Sequence, residues 1–150
     1  MEYYLSEQDA FLRLEPGEYL IQSLLQFADQ EKIDFALIVS GVGMLEGLEM
    51  GWFCVNDNDY DTYRIAGTYD LSSISGNIAI FENTHRAHVH ITANRPDFST
   101  VSGHLIDCRC HITMEIGLRL LKNSQLERIE VEGIPATFIT KTKTPHNADR

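Results

Sequence analysis

Three histidines, His88, His90 and His104, carry the chemistry written most clearly in this chain. Side chains at i and i+2 of a β-strand leave the same face, so Ala87-His88-Val89-His90-Ile91 places two imidazoles side by side. Val89, Ile91 and Ala93 then occupy the opposite, apolar face. The turn formers of Asn94-Arg95-Pro96-Asp97-Phe98-Ser99 come next, and Thr100-Val101-Ser102-Gly103-His104-Leu105 reads as the returning strand. A hairpin centred near Asp97 sets His104 opposite His90. Directly opposed residues have Cβ atoms about 4.5–5.5 Å apart, which suits three imidazole nitrogens each about 2.0–2.1 Å from one zinc ion. One divalent metal per chain, with zinc the expected ion, is therefore the predicted cofactor. A fourth coordination position would stay open for water or a small ligand.

Neutral imidazoles leave zinc its full charge, and its bound water can approach a pKa of about 7 and act as a nucleophile. Such chemistry needs a carboxylate to accept or orient the proton. Glu115, in the apolar setting Thr113-Met114-Glu115-Ile116, is the candidate catalytic residue, with Glu46 a weaker second. His85, His111 and His146 lack the mutual spacing of the three and read as ordinary histidines, His85 being a candidate for the rim of the site.

The elements that must hold these groups follow from periodicity. Ala10-Phe11-Leu12-Arg13-Leu14 alternates as a first strand, and Pro16-Gly17-Glu18 predicts the start of a helix running to about Lys32. Leu20, Ile21, Leu24, Leu25, Phe27 and Ala28 form its apolar stripe. Phe35-Ala36-Leu37-Ile38-Val39-Ser40 is a near-continuous apolar run, expected to be a central strand that ends in a tight turn at Gly41-Val42-Gly43. No third glycine makes that turn a dinucleotide fingerprint. Further strands are expected over 46–55, 60–65, 68–82, 86–93, 100–105, 111–120 and 126–132. The acidic loop Asn56-Asp57-Asn58-Asp59 reads as a hairpin turn, since it lacks the glycine and terminal glutamate of an EF-hand. The fold class is α+β, with a largely antiparallel sheet and one main helix near the N-terminus.

Length and composition narrow the function. The chain has 150 residues with 43% apolar residues, enough for one core, and a single domain is expected over 1–140 with a disordered tail over 141–150. Twelve basic residues stand against 22 acidic ones, a net charge of −10, so phosphate backbones and anionic membranes are repelled and no direct nucleic-acid binding is expected. Clustered cations are limited to Lys141 and Lys143. No apolar run reaches the ~18 residues of a membrane span. The start Met1-Glu2-Tyr3-Tyr4 is acidic where a signal peptide would be basic and then apolar, so a cytoplasmic protein is expected. Cys54, Cys108 and Cys110 are an odd set suited to the reduced state, and Cys108-Arg109-Cys110 lacks the two-residue spacer of a zinc knuckle.

Several segments, taken in order, resemble a known family. Leu12-Arg13-Leu14-Glu15-Pro16-Gly17-Glu18, Ser40-Gly41-Val42-Gly43, the stretch from Tyr69 to Ile78 with Asp70-Leu71-Ser72 and Gly76-Asn77, His88-Val89-His90 and Gly103-His104 are similar to the PPC domain, "plants and prokaryotes conserved". The likeness spans roughly residues 8–140. It implies a compact domain with a largely antiparallel sheet, assembled as a homotrimer, and a metal position in prokaryotic members that maps onto His88, His90 and His104. Plant members carry Arg-Gly-Arg-Pro DNA hooks, which this chain lacks. Ser102 stands where a second glycine usually precedes Gly103-His104. A non-catalytic interaction or regulatory module related to DNA-binding proteins is the alternative that the resemblance keeps open. Trp52, Phe53 and other strand aromatics exceed what one helix covers, in keeping with a sheet face that meets a neighbour.

Overall fold

A computed structural model describes residues 1–122, 126–131 and 134–139. In chain order the elements are β1 (Glu2–Leu5), β2 (Asp9–Leu14), α1 (Leu20–Gln30), β3 (Phe35–Cys54), β4 (Asp59–Phe81), β5 (Thr84–Asn94), β6 (Thr100–Leu120), β7 (Leu126–Val131) and β8 (Ile134–Ile139). Among the described residues the strands all pair antiparallel. Six strands form one sheet in the order β1-β2-β6-β3-β4-β5, while β7 and β8 make a separate pair. β5 also pairs with β6, so β3, β4, β5 and β6 form a closed circuit. The expected α+β class, largely antiparallel with one main helix near the N-terminus, is what the chain adopts.

β3, β4 and β6 run for 20, 23 and 21 residues, several times the usual strand of about 5–6. Their ladders shift register in several places, including Ile38/Ser40, Gly43/Leu45 and Glu46/Glu49 between β3 and β6. Such bulges bend a strand and increase its twist, which lets one long strand pair around a corner. The tight turn expected at Gly41-Val42-Gly43 is one of these irregularities, inside a continuous β3. A Cβ at Gly43 would stand 2.3 Å from the Thr113 carbonyl oxygen, so glycine here permits close strand approach and does not reverse the chain. For the same reason the runs 60–65 and 68–82 merge into β4, and 100–105 and 111–120 merge into β6. β1 and β8 were not among the expected strands, and residues 141–150 lie outside the described ones.

One face of the bent sheet and α1 enclose the core. Leu20, Leu24, Phe27 and Ala28 are fully buried against strand residues that include Leu12, Leu45, Ile78, Val89, Met114 and Ile116. Each such Leu, Ile or Phe contributes about 1.5–3 kcal/mol of transfer free energy. Cys108 and Cys110 belong to this core, Cys110 lying with its thiol 3.5 Å from the Leu14 carbonyl oxygen, and all three cysteines are free. Burial pushes the Cys108 thiol well above its ordinary range.

The helix begins later than its proline suggests. Gly17 N–H donates to the Cys110 carbonyl at 2.8 Å and Cys110 N–H to the Glu18 carbonyl at 2.8 Å, so Pro16-Gly17-Glu18 is committed to β6. The N-cap residue Tyr19 offers no side-chain cap; the Asp107 carboxylate of β6 accepts the Ile21 N–H at 3.0 Å instead. The same oxygen accepts the Cys108 N–H at 2.8 Å. Asp107 thus joins the helix start to the strand that carries His104. Replacing Asp107 with Ala should lower unfolding free energy by about 1–2 kcal/mol, and Asp107→Asn, which keeps an acceptor oxygen, by less. Urea denaturation followed by circular dichroism measures both; equal loss in the two variants would contradict the capping role.

Candidate metal centre

The register expected for the histidines is the one observed. His90 pairs with His104 and Ile91 with Gly103, which centres the β5–β6 hairpin on Asp97. Val89, Ile91 and Ala93 point into the core, leaving His88 half-buried and His90 exposed on the other face. His104 is flanked on its second side by β3, where its partner is Gly51. A Cβ at Gly51 would lie 2.9 Å from Tyr60 and 3.1 Å from the His104 ring. Its absence makes room for Tyr60 to stack on His104, with centroids 4.6 Å apart and planes inclined by 22°.

The three imidazoles converge. Ring centroids are separated by 5.2 Å for His88 and His90, 5.1 Å for His88 and His104, and 5.4 Å for His90 and His104. One nitrogen from each lies within 4.8 Å of the other two. A tetrahedral ion holds its nitrogens at about 2.0–2.1 Å, so small rotations of the rings inward complete the set. His104 Nδ1 is buried and makes no hydrogen bond. An unsatisfied buried polar atom costs about 1–3 kcal/mol, and a bond to a metal is one way to satisfy it. The donor set and the orphaned nitrogen both fit a metal ion.

Electrostatics favour the ligand form of His88 and His104. Burial, aided by His88, His90 and Arg128, brings His104 down to about 4. Burial also lowers His88, with Arg128 and His90 contributing. Neutral imidazole is the form that donates a lone pair.

Two clefts meet at these histidines. One, of about 730 Å³, is lined by residues that include Trp52, Tyr63, Ile65, His90 and His104. The other, of about 640 Å³, is lined by residues that include Phe53, Phe81, His88, His104 and Arg128. Tyr60 borders both.

Comparison with known proteins agrees with this fold. The model of the Plants and Prokaryotes Conserved (PCC) domain, abbreviated PPC above, matches residues 1–121. The chain belongs to this family. Among solved structures, a PPC protein from Pyrococcus horikoshii superposes with a TM-score of 0.82 at 25% identity, over 94% of this chain and 96% of that one. A metal-containing protein from Archaeoglobus fulgidus gives 0.78 at 21% identity, over 93% and 97% of the two chains. A candidate DNA-binding protein from Bacteroides thetaiotaomicron gives 0.86 at 20% identity, over 93% and 98%. No curated protein matches the chain.

Other residues singled out from the PCC sequence lie elsewhere. Glu115 is eleven residues beyond His104 on β6, paired with Arg13 and Val42, and borders neither cleft. Glu46 is ion-paired with Arg109 and lies 3.0 Å from His111 Nδ1. His85 Nε2 sits 3.0 Å from the Ile33 carbonyl oxygen, on the face of β5 opposite His88 and His90, and so belongs to the packing under the helix. What the sequence reading missed is Arg128, delivered by β7, whose Nη2 donates to Asn77 Oδ1 at 3.1 Å. Only tertiary contact brings it to His88 and His104; no local spacing marks it.

The lowered His104 carries a stability consequence. The unfolded imidazole titrates near about 6.5 and the folded one near 4, so between these values the unfolded state binds more protons. Metal-free protein should therefore lose stability as pH falls through that window. His104→Gln should flatten this loss, as read from urea midpoints between about pH 7 and 4.5. An unchanged slope in the variant would count against a neutral His104.

Proposed function

We propose that this PCC-domain protein is a homotrimer that binds one divalent ion per chain, zinc by preference, through His88, His90 and His104. The observation that carries the reading is the convergence of three imidazoles, two of them with lowered proton affinity; His104 also has a buried Nδ1 that makes no hydrogen bond. Three histidines are a ligand set used by catalytic zinc, and they leave one position open for water or a small ligand. The metal would supply a Lewis acid at that position. The chain's own residues would bind and orient: His88, His90 and His104 hold the ion, Tyr60 fixes the His104 ring by stacking, and the clefts admit the ligand. Among the described residues, neither cleft is lined by a carboxylate, so Glu115 would reach the ion only from another chain. Ligand binding is accordingly the role we assign. The free cysteines support a cytoplasmic setting.

The trimer is supported by unburied apolar surface. Trp52 is 71% exposed and Tyr63 55%, on the arms of the β3–β4 hairpin, and Val55 is 78% exposed in its turn. Exposed aromatic clusters of this kind are typical of interfaces. The alternative, a regulatory module allied to nucleic acid, rests on the Bacteroides thetaiotaomicron relative, while the net charge of −10 opposes direct contact with DNA.

Three outcomes are expected. Elemental analysis of protein purified without a metal-affinity tag should give one divalent ion per chain, and His90→Ala should abolish it with the fold retained; full occupancy in that variant would overturn the assignment. Light scattering at micromolar concentration should give three times the chain mass, and a concentration-independent monomer would refute the trimer. Duplex DNA should show no sequence-dependent shift at about 150 mM salt, conditions under which a phosphate-contacting protein would need clustered cations.

A further inference from the structure

We propose that the ligand of this site is an apolar carboxylate, its acid group held by Arg86 and Arg128 and its body by the aromatic walls of the 640 Å³ cleft beside His88 and His104. This rests on the metal-site reading above and names the ligand class for it. The cleft volume falls within the ~300–1,000 Å³ typical of small-molecule sites. Its walls are Phe53, Tyr60 and Phe81.

The charges lining it run against the rest of the molecule. In a chain with 22 acidic and 12 basic residues, this cleft presents two arginines and, among the described residues, no carboxylate. Arg86 stands at i−2 from His88 on β5, so the alternation of the strand puts Arg86, His88 and His90 along one face, about 6.6 Å per step. Arg128 approaches from β7 and lines the cleft together with His88 and His104. Its guanidinium is half-buried and oriented by Asn77, at 3.1 Å. A planar guanidinium fork matches the two oxygens of a carboxylate, and low local polarity strengthens that pairing. A carboxylate brings one charge and an apolar remainder that aromatic walls can cover; a phosphate dianion would bring more polar surface than Phe53 and Phe81 can satisfy.

Calorimetric titration of the full chain, with metal content measured on the same sample, tests this. The probes are 4-phenylbutyrate, its neutral analogue 4-phenylbutyramide, and inorganic phosphate. Saturable binding of one 4-phenylbutyrate per chain is expected, with the amide weaker by on the order of tenfold or more. Arg128→Ala and Arg86→Ala should each weaken the acid about tenfold while metal per chain and the circular dichroism spectrum stay unchanged. Arg128→Lys, which keeps the charge and loses the fork, should fall between, and serves if Arg128→Ala does not fold. In cobalt-substituted protein the acid should perturb the visible absorption band. Equal affinity for acid and amide, arginine variants that bind as the parent does, or phosphate binding tighter than the acid would each overturn the proposal. Stoichiometric metal without binding of the acid would overturn it and leave the metal site standing. Arginine-dependent binding of the acid by metal-free protein would support the carboxylate site and count against the metal reading alone.

Discussion

β6 is shared. At His104 it pairs with β5 through His90 on one side and with β3 through Gly51 on the other, and this double pairing closes the circuit of strands. The rest of the structure depends on that closure. At His104 and Leu105 both edges of β6 are paired, and a one-residue slip there would turn core side chains outward. Val89, Ile91 and Leu105 fix the inward face, and the histidines take the outward face by parity alone. Rigid strand positions hold ligating side chains more tightly than loops do. Gly51 completes the arrangement by removing the one Cβ that would crowd both Tyr60 and His104.

The second constraint is electrostatic. A chain carrying −10 overall gathers its imidazoles where, among the described residues, no acid lines the cleft and an arginine stands near. A carboxylate beside the rings would favour imidazolium, which cannot ligate; burial and Arg128 do the reverse. The acidic groups are spent elsewhere, on Arg13, Arg109 and Arg119 at the surface and on the helix start through Asp107. Surface pairs of this sort add little stability each. Their placement away from the histidines is what matters for the site.

How much of this was legible in the sequence follows from the range of the forces involved. The period of two in Ala87-His88-Val89-His90-Ile91 and the turn chemistry around Asp97 are local, and together they gave the His90–His104 pairing correctly. The amphipathic stripe of α1 is local too. Its start is not: the segment from Pro16 to Glu18 is captured by Cys110, and the cap comes from Asp107, 86 residues away from Ile21 in sequence. Gly41-Val42-Gly43 has the composition of a turn, and only the proximity of Thr113 shows that the glycines serve strand packing. Arg128 and Tyr60 reach the site through folding alone. Glu115 stands out in the sequence as an acid among apolar neighbours; in the fold it sits on the far stretch of β6 from His104, in register with Arg13 of β2 and Val42 of β3.

These points bear on why the histidines span two strands. An ion bound to His88, His90 and His104 ties β5 to β6 near the point where β6 also meets β3, so binding energy is directed at the closure itself. The unfolded chain holds His88 and His90 close together but leaves His104 fourteen residues from His90, and it gains little from the ion. A ligand that binds the folded state alone stabilises it in proportion to the logarithm of its concentration over its dissociation constant. The buried, unpartnered nitrogen of His104 weakens the metal-free state at the same place. An ion bound there would therefore couple its binding to closure: the features that make the free histidine cluster costly are those that an ion would turn into a clamp on the sheet.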